Sequence, residues 1–235
     1  MLRFTAPFTV LVLLVRAAAA QAPYRVTWWD GASVLTAGVL GEIPKVAKLP
    51  NGPPPCAPCD PGSVSGFDRI ALHNSSGSAA TASTVALIGV MAFSGFSSVH
   101  GTTPAQARGN VAVLSNALIW TYAATYWVKV LAHRSRPVLY TAAASAAASD
   151  PDNRRSFPSG HASVAFAAAT TYFVMAGREQ LPHRTRNALL AYGAAAAVAS
   201  LRVSAGQHFP SDVIAGAVLG SGIGWLAATV HPTAP

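Results

Sequence analysis

Five stretches of this chain, about residues 82–99, 109–128, 162–177, 187–201 and 213–230, contain no charged side chain. Their lengths, roughly 15–20 residues, straddle the ~20 that a helix needs to cross the hydrocarbon core of a membrane. The two shorter ones, 162–177 and 187–201, equally fit buried helices of a soluble bundle, and their richness in Ala suits either setting. Composition favours the membrane. Only 10% of the residues are charged, against roughly 25% in an average soluble domain. The fold class expected is all-α: an antiparallel bundle of five or six membrane helices.

The net charge of +8 does not indicate nucleic acid, because the basic residues form no continuous stripe. They gather in short loops between the apolar segments. Lys129, His133, Arg134, Arg136, Arg154 and Arg155 read as a site, whereas Arg178, His183, Arg184 and Arg186 read as topology. Residues 1–20 hold Arg3, an apolar run from Phe4 to Val15 and then Ala17–Ala20, the pattern of a secretory signal with a small-residue cleavage site. Arg16 at the end of the run leaves an uncleaved signal anchor open. Tyr24–Lys48 is expected to form an amphipathic helix at the membrane surface, anchored by Trp28 and Trp29.

A Pro/Gly loop over residues 49–68 carries Cys56 and Cys59, whose spacing in an oxidising compartment reads as a small disulfide. It lacks the strand-then-helix context of a redox pair, and a zinc site would need two more ligands. Three units follow: a signal over 1–20, an exported N-terminal segment over 21–78, and a helical core over 79–232. Gly216, Gly220 and Gly224 share one face of the last segment and read as a helix-packing stripe.

Arg108 lies between the first two apolar segments, and Arg178, Arg184 and Arg186 follow the third; short loops rich in Lys and Arg face the cytoplasm. Alternation then places 129–161, 202–212 and the stretch after the signal together on the outer side, periplasmic or extracellular.

Three motifs sit at helix ends on that side. Lys129 and Arg136-Pro137 form the first, Pro158-Ser159-Gly160-His161 the second, and Arg202, His208 and Asp212 the third. In the second, Ser159 suits an N-cap and Gly160 admits a ligand close to the backbone, so the helix start makes an anion site into which His161 points. In the third, Pro210 disfavours helix at Phe209, leaving His208 in a turn, Ser211 as cap and Asp212 in the first helical turn. From there Asp212 is placed to accept a hydrogen bond from one imidazole nitrogen of His208, leaving the other free to attack. Lys129, Arg136 and Arg202 add three cations that one carboxylate cannot neutralise; a phosphate supplies the missing charge.

In this order and spacing, over about residues 129–212, the motifs resemble those of the type 2 phosphatidic acid phosphatase (PAP2) superfamily, which also includes bacterial acid phosphatases and vanadium haloperoxidases. The resemblance implies a metal-independent phosphatase acting through a phosphohistidine on His208. Asp212 would orient the nucleophile, and His161 would protonate the leaving group and then serve as general base. Lys129, Arg136, Ser159, Gly160 and Arg202 would bind the phosphoryl oxygens. No cofactor is implied, and the sequence has no carboxylate cluster to hold a metal.

One departure stands out: Leu201 occupies the place where the family usually has Ser before the Arg. Ser200, one residue early, falls near the opposite face, which leaves Ser204 or Gln207 as substitutes. The expected substrate is a phosphomonoester or pyrophosphate, on a lipid in the membrane reading. A soluble exported phosphatase acting on small esters, a vanadate-dependent haloperoxidase and a non-catalytic binder of lipid phosphates are the alternatives.

Overall fold

The computed structural model describes residues 23–234; the signal expected over 1–20 lies outside them. The described residues form seven α-helices: α1 (Trp28–Val46), α2 (Gly77–Val99), α3 (Pro104–Ala132), α4 (Ala144–Ala147), α5 (Gly160–Arg178), α6 (Arg184–Ser204) and α7 (Pro210–Val230). No strand occurs among the described residues beyond a single bridge between Tyr24 and Thr233. All five apolar segments are helical, and several are extended by polar residues that cap them. Ser76 Oγ accepts the Ala79 N–H ahead of α2. Thr103 and Gln106 cap α3 reciprocally around Pro104, where the helix needs no donor.

The six long helices alternate in direction. Contacts between Ser83 and Arg202, and between Thr84 and His161, fix the start of α2 beside the end of α6 and the start of α5. At the other end of the bundle, Asn110 near the start of α3 donates to Ser98 O near the end of α2 at 2.9 Å and to Glu179 just past α5 at 2.9 Å. The loops 47–76, 133–159 and 205–209 therefore share one end, and the opposite end holds the remaining connections and both termini of the described chain.

α5 is the central helix and packs against α2, α3, α6 and α7. Its Ala-rich surface is what lets four neighbours approach. The closest is α7, along the glycine stripe. A Cβ at Gly216, Gly220 or Gly224 would lie 2.6, 1.8 or 2.7 Å from the carbonyl oxygens of Ser159, Ser163 and Ala167. Those distances are incompatible with a side chain, so the three glycines are a packing requirement.

α1 departs from the sequence expectation. It does not lie flat at a surface but runs beside α3, in the same direction and in steady register. Trp120 Nε1 donates to Ser33 Oγ at 2.9 Å and Trp127 Nε1 to Leu40 O at 3.0 Å. It is a sixth bundle helix, with Tyr24 tied to the end of α7 through Ala228 O at 2.9 Å. Residues 23–27 thus sit at the end that carries Arg108, Arg178, Arg184 and Arg186, opposite the motifs. The sequence reading placed this stretch on the same side as the motifs; that placement fails because it did not count α1 as a crossing. The two orientation signals consequently disagree: a cleaved signal would release Gln21 on the outer side, while the arginines mark that end of the bundle as inner.

α2, α3 and α7 are long and apolar enough to cross a membrane. Large apolar side chains lie exposed on every outer helix, among them Leu35, Val85, Leu131, Leu189 and Val218. These faces are consistent with membrane association.

The packing makes a testable contrast within one helix. Gly220→Ala is expected to destabilise the protein by about 3 kcal/mol or more. Gly222→Ala, where an added Cβ meets nothing within 4 Å, should be neutral or stabilising by about 0.5–1 kcal/mol. Thermal unfolding of the two detergent-solubilised variants checks both; equal melting temperatures would contradict the close-packing account.

Candidate active site

All eight motif residues come together at one end of the bundle. Lys129 ends α3 and Arg136 follows in the linker; Ser159, Gly160 and His161 open α5; Arg202 lies in the last turn of α6; His208 and Asp212 flank the start of α7. Ser159 caps α5 as expected, its Oγ accepting the Ala162 N–H at 3.5 Å. Its own N–H donates to Asp212 O at 2.9 Å, which locks the starts of α5 and α7 together. The first N–H groups of α5 have no partner within the helix, so this end presents free donors and a positive dipole. A Cβ on Gly160 would meet only Thr125 Cγ2 at 3.6 Å and Lys129 Cε at 4.0 Å. The protein therefore tolerates a side chain here.

His208 lies in the turn between α6 and α7, as anticipated, and is almost completely buried. Burial, then the charges of Lys129, Arg136 and Arg202, hold its pKa well below the usual imidazole range, against the smaller opposing effect of the nearby Ser156 backbone. The ring is thus neutral at ordinary pH. Asp212 occupies the first turn of α7 as expected, but the cap differs. Helix α7 begins at Pro210, with Phe209 at the cap position, so Ser211 is not the cap. Pro210 is pre-set for the first helical position. Asp212 falls in the first turn, where its Oδ2 accepts the Phe209 N–H at 2.9 Å and the Ser156 hydroxyl at 2.5 Å. His208 Nδ1 approaches the same oxygen to 3.6 Å, a close polar contact longer than a hydrogen bond.

The cations are arranged around Gln207. Its Oε1 accepts from Arg136 Nη1 at 2.8 Å and from Arg202 Nη2 at 3.4 Å. Arg202 also donates to Ser83 Oγ at 3.3 Å, and Lys129 Nζ donates to the Arg155 carbonyl. Asp152 pairs with Arg136, whereas Asp212 pairs with Arg134 at 2.6 Å. The sequence count of one carboxylate for three cations holds in number, but that carboxylate is Asp152. Arg136 Nε and Arg202 Nε remain buried donors without an acceptor. Such donors are rare in folded proteins and are available to an oxyanion.

Of the two residues offered as substitutes for the missing serine, Gln207 is in the site and Ser204 is exposed. Ser200 is exposed too, with its hydroxyl turned back to Ala196 O. His161 Nε2 lies 3.2 Å from Thr84 Oγ1. Residues the motifs did not reveal are Ser83, Thr84, Asp152, Ser156 and Asp68. Arg134 belonged to the basic cluster read as a site, without a role of its own. Cys56 and Cys59 are joined as a disulfide in a loop at this same end. Arg154 Nη1 and Arg155 Nε hold that loop by the carbonyls of Gly52 and Leu49.

The family model for the PAP2 superfamily matches residues 110–235. Comparison with curated proteins and with solved structures gave no match.

The electrostatics of the site predict opposite effects on stability from two substitutions. Asp212→Ala strips three hydrogen bonds, one of them the ion pair with Arg134, from a fully buried carboxylate, at a cost of about 3–5 kcal/mol. Lys129→Met removes a buried cation that has no carboxylate partner, and should stabilise by about 1 kcal/mol or more. Melting temperatures in detergent check both. A Lys129→Met protein that unfolds earlier than wild type would mean the cation is compensated after all.

Proposed function

The chain belongs to the PAP2 superfamily, and from that premise and the site geometry we propose that it hydrolyses phosphomonoesters or pyrophosphates through a phosphohistidine on His208. Family membership supports phosphatase-type activity; the substrate and the steps below are our reading. The observation that carries it is the set of buried guanidinium N–H donors of Arg136 and Arg202, left without acceptors beside a neutral, buried imidazole.

A phosphoryl group seated between Arg136, Arg202, Lys129 and the first N–H groups of α5 would satisfy those donors. Its oxygens take the place that Gln207 Oε1 now holds between the two guanidiniums. His208, with its Nδ1 toward Asp212, attacks phosphorus through Nε2, and the phosphorus–oxygen bond to the leaving group breaks in line. Burial, then the charges of Arg202, Arg136 and Lys129, lower the His161 pKa to about 4; the entering phosphoryl anion offsets those cations, so His161 takes up a proton with the substrate and donates it to the departing oxygen. Water then attacks the phosphohistidine, giving a proton to His161, and the phosphorus–nitrogen bond breaks to release phosphate. None of these steps asks for a metal.

The apolar faces of the outer helices favour a substrate held in the bilayer, such as a phosphorylated lipid whose headgroup reaches the helix ends. We place those ends on the outer face and the arginine-rich end inside, following the distribution of short-loop cations. With α1 as the first crossing, this orientation is compatible with an uncleaved N-terminus. A cleaved signal would require either export of the whole bundle as a soluble phosphatase or insertion with the motif end inside. Mass spectrometry of the purified protein is expected to find the N-terminal peptide intact, and a chain beginning near Gln21 would overturn this orientation.

The central test is phosphate release by detergent-solubilised protein in the presence of chelator, with phosphatidate, a polyprenyl pyrophosphate and an aryl phosphate as substrates. Wild type should be active and prefer a lipid, and His208→Ala should lose at least about 10³-fold in kcat. Gly160→Ala should fold normally and raise KM, because the added methyl occupies phosphate space rather than protein space. A well-folded wild type that releases nothing from any substrate would overturn the phosphatase reading.

A further inference from the structure

Asp68 lies outside the residues matched to the family, in the loop between α1 and α2, yet it is buried in the site. It accepts Arg134 Nη2 at 2.8 Å, the Ser211 N–H at 2.9 Å and the Ser211 hydroxyl at 2.7 Å. Arg134 continues the chain inward. Its Nη1 donates to Ser211 Oγ at 2.7 Å and to Asp212 Oδ1 at 2.6 Å, while the guanidinium lies 4.3 Å from the centre of the Phe209 ring. Nothing in the chemistry outlined above uses either residue.

Asp212 can turn about its side-chain bonds, and a cluster of cations stands nearby. What keeps it in place is division of labour between its two oxygens. Oδ1 is committed to Arg134, and Oδ2 accepts from Ser156 and Phe209 and lies 3.6 Å from His208 Nδ1. Charge follows the same logic. Arg134 alone would cancel Asp212, and with Asp68 added the trio keeps a net negative charge of one to share with the imidazole.

We propose that Arg134, anchored by Asp68, is a positioning residue that fixes the Asp212 carboxylate so that the proton of His208 stays on Nδ1 and Nε2 remains free. The proposal rests on the phosphatase reading for its consequence in catalysis, but its structural content is the ring tautomer, which can be read without turnover.

The test uses the full chain in detergent with ¹⁵N-labelled histidine, the His208 signals being assigned by their loss in His208→Ala. Wild type should show the Nδ1–H tautomer. Asp68→Asn and Arg134→Gln should each show a mixture of tautomers and lower kcat by about 10²-fold with KM changed less than about twofold. Arg134→Lys, which keeps the charge and loses the fork, should recover part of kcat. An unchanged tautomer in both variants, or a wild type that is not Nδ1–H, overturns the proposal. If His208→Ala stays active, the phosphatase reading fails, and the tautomer still decides the positioning claim.

Discussion

The contact on which the site depends is the close approach of α5 and α7 along Gly216, Gly220 and Gly224. It sets the two helix starts side by side, close enough for the Ser159 N–H to reach the Asp212 carbonyl. From that one backbone bond follow the rest of the placements. The N-terminal end of α5, with its free donors, opens beside the turn that carries His208. Arg202, one turn earlier at the end of α6, is brought in by the same short connection. Had α7 carried alanines instead, the helices would stand apart, and the start of α5 and His208 would belong to different regions of the molecule.

Against this well-packed frame stands a poorly compensated charge set. Lys129 and Arg202 are buried without a carboxylate partner, and Arg136 has only Asp152, which is half-exposed. Burying a cation without compensation is costly, so these residues weaken the fold. The frame supplies the stability that lets them persist. That is the arrangement expected of a site whose remaining charge arrives with a ligand, and it separates this end of the bundle from the opposite end. There the buried Glu179 has its own Asn110 and the chain closes on itself through Tyr24 and residues 232–234.

The helices and the eight motif residues were legible in the sequence because both are local signals. Uncharged apolar runs, with Ser159 and Pro210 at the starts of two of them, announce where helices lie, and the motifs sit at short, fixed spacings. The role of Asp68 was not legible, since its partner Ser211 is 143 positions away and one aspartate in a Pro/Gly loop carries no pattern. Asp152 and Ser156 were hidden for a related reason. They sit in an irregular linker whose path depends on the helices it joins. The cap of α7 was misread because serine is the commoner cap, while here Pro210 takes the first helical position and Asp212 reaches back to the Phe209 N–H.

α1 is the most instructive failure. Its sequence mixes Trp28, Trp29, Asp30, Glu42 and Lys45 with apolar residues, a composition that suits a helix lying between water and lipid. The same composition serves a helix standing against α3, because the polar groups are absorbed by specific partners there. Glu42 and Lys45 meet Tyr122, and Asp30 caps its own helix through Thr27 and pairs with His231. Counting charges cannot distinguish exposure to water from satisfaction by a neighbour. The consequence extends beyond one helix, since every added crossing inverts the side assigned to whatever precedes it. Once α1 stands upright, the loop with Cys56 and Cys59 and the carboxylate of Asp68 remain at the end that carries the motifs while Pro23 moves to the other. The segment ahead of α2 is then an integral part of the site rather than a leader to it.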